Sequence, residues 1–248
     1  MNKDIEIREC TTFDELAECV QLQRDVFALP EVELSPVRHL IVTRNAGGFT
    51  LGAYDGEKLA GFVLSIPAFM RGERAFYSHM TGVRAEYQSH GIGGRLKWAQ
   101  RERALSEGVR FIKWTFEPVK ARNAYFNLEK LGAIVGEYTV NFYGTDYTTA
   151  AQTGRKIGLA SDRLFAEWHL ESEKVKVLAT GGSWREPFNP AVKIRVMNDF
   201  FADVEKDPEA VLAEQLRIRA EFTEALGQGL IVRGFERGNE PCYLLYSQ

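Results

Sequence analysis

The sequence predicts an α/β protein built on a mixed sheet, and three observations predict it. Stretches with strand-like apolar patterns alternate with helical-period stretches in the order β-α-α-β-β-β-α-β-α-β-β up to about residue 170. Asp55-Gly56 separates two such strands, a strong hairpin signal. A stretch rich in glycine, "QSHGIGGRLK" (88–97), stands between a strand and a helix.

The elements follow in order. "IEIREC" (5–10) alternates as a strand, and "TTFDELAECVQLQRDVFAL" carries a capping threonine and Phe13, Leu16, Val20 and Phe27 near helical spacing. "LSPVRHLIVTRNAGG" predicts a shorter helix ending at its glycines. "GFTLGAY" and "KLAGFVLSIPAF" form the hairpin, and "AFYSHMTGV" (75–83) is a further strand. A helix opens at the glycines and runs to about Glu107, and "VRFIKWTF" has the mixed apolar run of a buried strand. "ARNAYFNLEKLGA" predicts a helix stopped by Gly132. "AIVGEYTVNFYG" and "DRLFAEWHL" predict two strands around a polar loop of Gly, Thr and Ser. Beyond 171 the texture changes. "KVKVLAT" and "NPAVKIRVM" suggest short strands and "GGSW" a turn; "PEAVLAEQLRIRAEFTEAL" is an amphipathic helix opened by Pro208, and "GLIVRGF" and "CYLLYS" close as strands.

The bulk numbers narrow the function. The chain has 248 residues, of which 45% are hydrophobic, enough for a substantial core. A net charge of -3 argues against a nucleic-acid or anionic-membrane surface, which calls for a basic face. Cys10, Cys19 and Cys242 match neither a metal-ligand spacing nor a disulfide framework, so no metal and a reducing, cytoplasmic interior are expected. "MNKDIEIREC" has no apolar run after its basic residue, so no signal peptide is expected, and no stretch approaches a membrane span.

Glycine is the poorest ordinary helix former, by up to about 1 kcal/mol against alanine. Three glycines, Gly91, Gly93 and Gly94, at a helix start therefore imply that something comes close to the backbone, and helix N-termini bind anions. A dinucleotide fingerprint is excluded because Leu96 stands where its third glycine belongs, and no Gly-Lys-Ser/Thr occurs. What fits is Gln/Arg-x-x-Gly-x-Gly/Ala, as Gln88, Ser89, His90, Gly91, Ile92, Gly93, within "GVRAEYQSHGIGGRL". This resembles the acetyl-CoA signature of the GNAT superfamily. Val83, Glu86, Tyr87, Gln88, Gly91 and Gly93 match its frame, while Ala85 replaces the usual proline. A glycine-rich start that only permits tight strand–helix packing is the competing reading.

The resemblance spans about 4–170, and "YSHMTGV", "WTFEPVKARNAYFNLEKLGA", "NFYG" and "SDRLFAEWHL" look like one branch of acetyltransferases with unassigned substrates. It implies a mostly antiparallel sheet with splayed central parallel strands and flanking helices. It also implies a catalytic core at 1–170 and an α/β extension at 171–248 that packs on the core or forms an oligomer contact such as a homodimer. Acetyl-CoA or another acyl-CoA is the implied cosubstrate, its pyrophosphate on Gln88–Gly94 and its pantetheine arm on the main chain near Met80, Thr81 and Val83. The implied acceptor is the amine of a small molecule or amino acid. A protein N-terminus or lysine, and a catalytically silent sensor of coenzyme A, stay open.

For the proton on the acceptor amine, the resemblance points to His79, four residues before Val83, which otherwise is a strand histidine hydrogen-bonded in the sheet. Glu117 is a second choice acting through water, or else a solvated or capping carboxylate. His90 lies in the loop, and His39 and His169 read as ordinary structural residues. The second GNAT signature is only partly present. Aligned on Lys130 and Gly132, Leu128 stands at the usual tyrosine and Ala121 at the usual asparagine. Tyr125, on the same helix face as Leu128, and Asn123 are the candidate substitutes.

Overall fold

The computed structural model describes residues 4–27, 29–147, 157–200 and 207–247. The middle of the predicted polar loop, 148–156, lies outside the described residues. The chain divides into two compact units, Met1–Lys113 and Trp114–Gln248.

In the first unit, β1 (Ile5–Glu9), β2 (Phe49–Asp55), β3 (Lys58–Met70), β4 (Glu73–Val83) and the start of β5 (Phe111–Phe116) lie in the order β1-β2-β3-β4-β5. All neighbours are antiparallel except β4 and β5, which are parallel with Phe76 opposite Ile112 and Tyr77 opposite Lys113. Helices α1 (Phe13–Phe27) and α2 (Val37–Asn45) pack with β3 into a cluster of Leu16, Cys19, Leu22, Leu40, Tyr54, Phe62 and Leu64. A capping box starts α1: Thr12 Oγ1 accepts from the Glu15 N–H at 3.2 Å and Glu15 Oε2 accepts from the Thr12 N–H at 2.9 Å. The Thr12 N–H, with Arg8 and the Thr11 N–H, holds the Glu15 carboxyl at about 2.

Helix α3 (Ile92–Ser106) packs on residues of alternate parity, as a period of two requires. A Cβ on Gly61 would meet Leu96, and the Ser65 hydroxyl accepts from Gln100 Nε2 at 2.8 Å. Phe62 and Leu64 between them serve α1 and α2.

In the second unit, α4 (Ala121–Tyr125) continues into one π-helical turn (Phe126–Lys130), so the single predicted helix is two kinds of helix. Strands β6 (Ile134–Thr139), β7 (Arg163–His169), β8 (Val192–Arg195), β9 (Ile231–Glu236) and β10 (Cys242–Tyr246) follow the order β7-β6-β9-β10-β8. The strands after residue 171 thus continue the β6–β7 sheet, with Val135 opposite Val232. Helix α6 (Pro208–Gly227) buries Phe222 between Tyr138, stacked at 5.6 Å, and Tyr243, edge-on at 5.0 Å.

"KVKVLAT" is not a strand but helix α5 (Glu173–Ala179). Ser172 caps it by accepting from the Val175 N–H, and Gly181 and Gly182 return their N–H groups to Leu178 and Val177. Local cap chemistry outweighed a short Lys-Val alternation.

Candidate active site

The glycine stretch is a turn between β4 and α3. Its frame is pinned at both sides. Tyr87 is buried and donates its hydroxyl to Asp55 at 2.7 Å. Arg84 donates to the Leu59 carbonyl at 2.8 Å and pairs with Asp25 at 2.6 Å. Gln88 Nε2 donates to the Val83 carbonyl at 3.0 Å, and His90 Nδ1 lies 2.7 Å from the Gln88 carbonyl. Ser89 and Gly91 both take left-handed φ, 64° and 76°. A serine held there stores backbone strain, which concentrates at ligand clamps.

Helix α3 then opens with Gly91 as its N-cap and no side-chain cap, and its first turn holds no carboxylate. The N–H groups of Ile92, Gly93 and Gly94 have no carbonyl of their own helix to bond. Gly91 is explained by its φ. Gly93 is not explained by packing, because a Cβ there would meet only Val83 Cγ2, at an ordinary 3.9 Å. The packing account of this glycine therefore fails, and an uncapped, uncovered set of donors suited to an anion remains.

Strand β4 delivers the other feature. Leu64 lies opposite Met80 and Ser65 opposite Ser78, so His79 is the extra residue of a β-bulge. A bulge re-aims side chains. Ser78 faces α3, where its hydroxyl accepts from Lys97 Nζ at 3.0 Å and Gln100 Nε2 at 3.1 Å. His79 and Met80 both face the other way: Met80 packs on the α1–α2 cluster and the His79 ring meets His39 of α2 edge-on at 6.2 Å. Burial, and then His39, push the His79 imidazole below its ordinary value of 6.5. Among the described residues the His79 side chain has no hydrogen-bond partner. Met80, Thr81 and Val83 are half-buried along the same strand, beyond the residues that pair with β5.

Two parts of this arrangement gave no signal in the sequence. Lys97 is 2% exposed, and burial drives its amine far below the ordinary lysine range. It braces the bulge through Ser78 and donates to Gln100 Oε1 at 2.6 Å. His39, at the start of α2, is the second ring against His79.

The remaining predicted residues lie in the second unit. The Glu117 carboxylate is mostly buried and ion-paired with Lys120, with Arg163 at 3.9 Å. Tyr125 is half-buried on α4, with the Arg237 guanidinium 4.6 Å and the Lys130 ammonium 5.5 Å from its ring centre. Asn123 is exposed. Leu128 is fully buried, and Asn127 behind it accepts from Trp114 Nε1 at 3.2 Å, fixing α4 to β5. Among the described residues no group of three or more His, Cys, Asp or Glu is placed to hold a metal, and no helix is long and apolar enough to cross a membrane.

Comparison with curated proteins returns no match. Among solved structures, a protein described as an acetyltransferase of the GNAT family from Desulfovibrio desulfuricans is 13% identical with a TM-score of 0.55, covering 67% of this chain and 99% of that one. The ribosomal-protein-S18-alanine N-acetyltransferase of Escherichia coli is 15% identical with a TM-score of 0.51, covering 66% and 92%. Arabidopsis thaliana Naa50, in complex with the bisubstrate analogue CoA-Ac-MVNAL, is 16% identical with a TM-score of 0.51, covering 66% and 97%. The fold is therefore the GNAT fold, a mixed α/β arrangement with one parallel strand pair. The sequence model of the acetyltransferase (GNAT) family matches residues 13–133, from the first turn of α1 to the end of the second signature, so that stretch is similar to a GNAT acetyltransferase domain.

Proposed function

We propose that the chain is an acyl-CoA-dependent N-acyltransferase, with acetyl-CoA as donor and the amine of a small molecule or amino acid as acceptor. The observation that carries the reading is the bulge in β4. It turns an imidazole with no hydrogen-bond partner among the described residues away from α3, on the strand that ends in the uncapped glycine turn.

The residues divide the work as follows. The N–H groups of the Gln88–Gly94 turn hold the pyrophosphate, and Gly93 lets it approach. The main chain at Met80, Thr81 and Val83 holds the pantetheine arm, and a backbone N–H there polarises the thioester carbonyl. His79, kept neutral by burial, takes the proton from the amine nitrogen as it attacks that carbonyl. The carbon–sulfur bond breaks with its electron pair on sulfur, and the Tyr125 hydroxyl or water protonates the thiolate. Asn123 serves the coenzyme A side, and Glu117, already held by Lys120 and Arg163, orients charge rather than moving a proton. Residues 1–170 make the catalytic core in this reading, and 171–248 are an extension of it.

The test is thiol release from acetyl-CoA against a panel of amines, amino acids and short peptides, with calorimetric binding of coenzyme A alongside. Turnover of an amine or amino acid supports the reading. Turnover of peptides alone moves the acceptor to a protein N-terminus or lysine. Binding without turnover leaves a coenzyme A sensor, a reading that buried Leu128 at the usual tyrosine position favours.

A further inference from the structure

Two imidazoles face each other in the first unit, and only one has a role so far. His39 stands in the first turn of α2, where Val37, Leu40 and Ile41 supply the packing against the core cluster. Its own ring is half-buried and directed at His79, 6.2 Å away between centres and at 80°. Among the described residues neither ring has a hydrogen-bond partner. Ring centres 6.2 Å apart are too far for a direct hydrogen bond to be the rule and close enough for water to lie between the two side chains. The bulge is what makes the pair: without the extra residue, His79 and Met80 would face opposite sides of β4.

We propose that His39 is a positioning residue for the transfer reaction, accepting through water the proton that His79 takes from the acceptor amine. The proposal rests on the reading of His79 given above. In the step, the amine nitrogen bonds to the thioester carbon, the carbon–sulfur bond breaks and sulfur leaves as thiolate. The proton lost by nitrogen goes to His79, then by way of water to His39 and on to solvent, while solvent or Tyr125 reprotonates the thiolate. A base that hands its proton on is neutral again for the next turnover, and a buried imidazolium beside β4 never has to persist.

The test uses the whole chain in the thiol-release assay with acetyl-CoA and the best acceptor of the panel. His39→Phe keeps the edge-on ring and its volume but carries no proton, and His39→Gln keeps a polar group that cannot shuttle one. His39→Ala is assayed with and without added imidazole. The expected result is a fall in kcat of roughly tenfold or more for all three, smaller than the full loss of a general base because His79 still takes the proton. The KM for acetyl-CoA stays unchanged, and added imidazole restores part of the His39→Ala rate. A His39→Phe enzyme with wild-type kcat makes the ring mere packing and overturns the proposal. His79→Ala separates the two ideas. If it loses turnover while His39→Phe keeps it, only the relay is wrong. If His79→Ala turns over normally, or no acceptor in the panel is used, both readings fall.

Discussion

Replacing Gly93 by alanine separates a glycine kept for folding from one kept for a ligand. The position is in the first turn of α3, its φ is ordinary, and a Cβ there meets only Val83 Cγ2 at 3.9 Å. Alanine therefore adds no clash and removes unfolded-state freedom, which stabilises by about 0.4–1 kcal/mol. For a chain of this length that is roughly 1–4 °C in Tm. In the proposed function, the same methyl group stands where the pyrophosphate approaches the backbone. Loss of one hydrogen bond to a charged group costs about 1.5–3 kcal/mol, or roughly ten- to a hundredfold in Kd. Gly91→Ala is the control, because φ of 76° makes it destabilising by about 1–2 kcal/mol although the space is open. Thermal unfolding and calorimetric titration of coenzyme A read both variants. A destabilised Gly93→Ala means that packing needs the glycine. A stabilised Gly93→Ala with unchanged coenzyme A affinity means that no phosphate lies there. Either result refutes the reasoning.

Other perturbations test separate parts of the structure. Asp162 is buried and holds Tyr138 at 2.5 Å, the Asn141 N–H at 3.0 Å and Arg219 at 2.9 Å and 3.1 Å, so Asp162→Ala strands a guanidinium and is expected to cost about 3 kcal/mol in urea unfolding. Thr12→Ala removes the capping-box acceptor of α1 and is expected to cost about 1 kcal/mol by the same measurement. The depressed His79 sets a sign with pH. Its contribution to stability is fully present above 6.5 and is lost as pH falls through its lower folded value, since the unfolded chain then binds the extra proton. The acid limb of kcat/KM is accordingly expected to fall below pH 6.5, and His79→Gln is expected to remove that part of the pH dependence of unfolding.

The local elements of the first unit were legible because each carries its own signal. Asp55-Gly56 marks the β2–β3 hairpin, Thr12 and Glu15 mark the start of α1, and Gly91 marks the turn into α3. The glycine turn was legible as an unusual helix start for the same reason: residue types with no place in a helix were loaded into one. Long-range geometry was not legible. Nothing in "AFYSHMTGV" shows that His79 is an extra residue, because a bulge is a property of the pairing with β3 and not of β4 alone. His39 read as a structural residue because its partner lies 40 positions away. Lys97 read as one more polar residue of α3, whereas the hydroxyl of Ser78 and the amide of Gln100 make its burial tolerable. In α5, two valines at alternate positions imitated a strand over a segment too short for periodicity to decide, and the Ser172 cap decided it. The π turn at Phe126–Lys130 has no sequence mark at all.

The central claim is that His79 is the base of an acyl transfer from coenzyme A to an amine. Its most direct test is the rate of thiol release by wild type and His79→Ala at saturating acetyl-CoA and acceptor, with coenzyme A affinity measured on the same two proteins. The account predicts that His79→Ala binds coenzyme A like wild type and loses a factor of about 100 or more in kcat. Wild-type kcat in His79→Ala would contradict it.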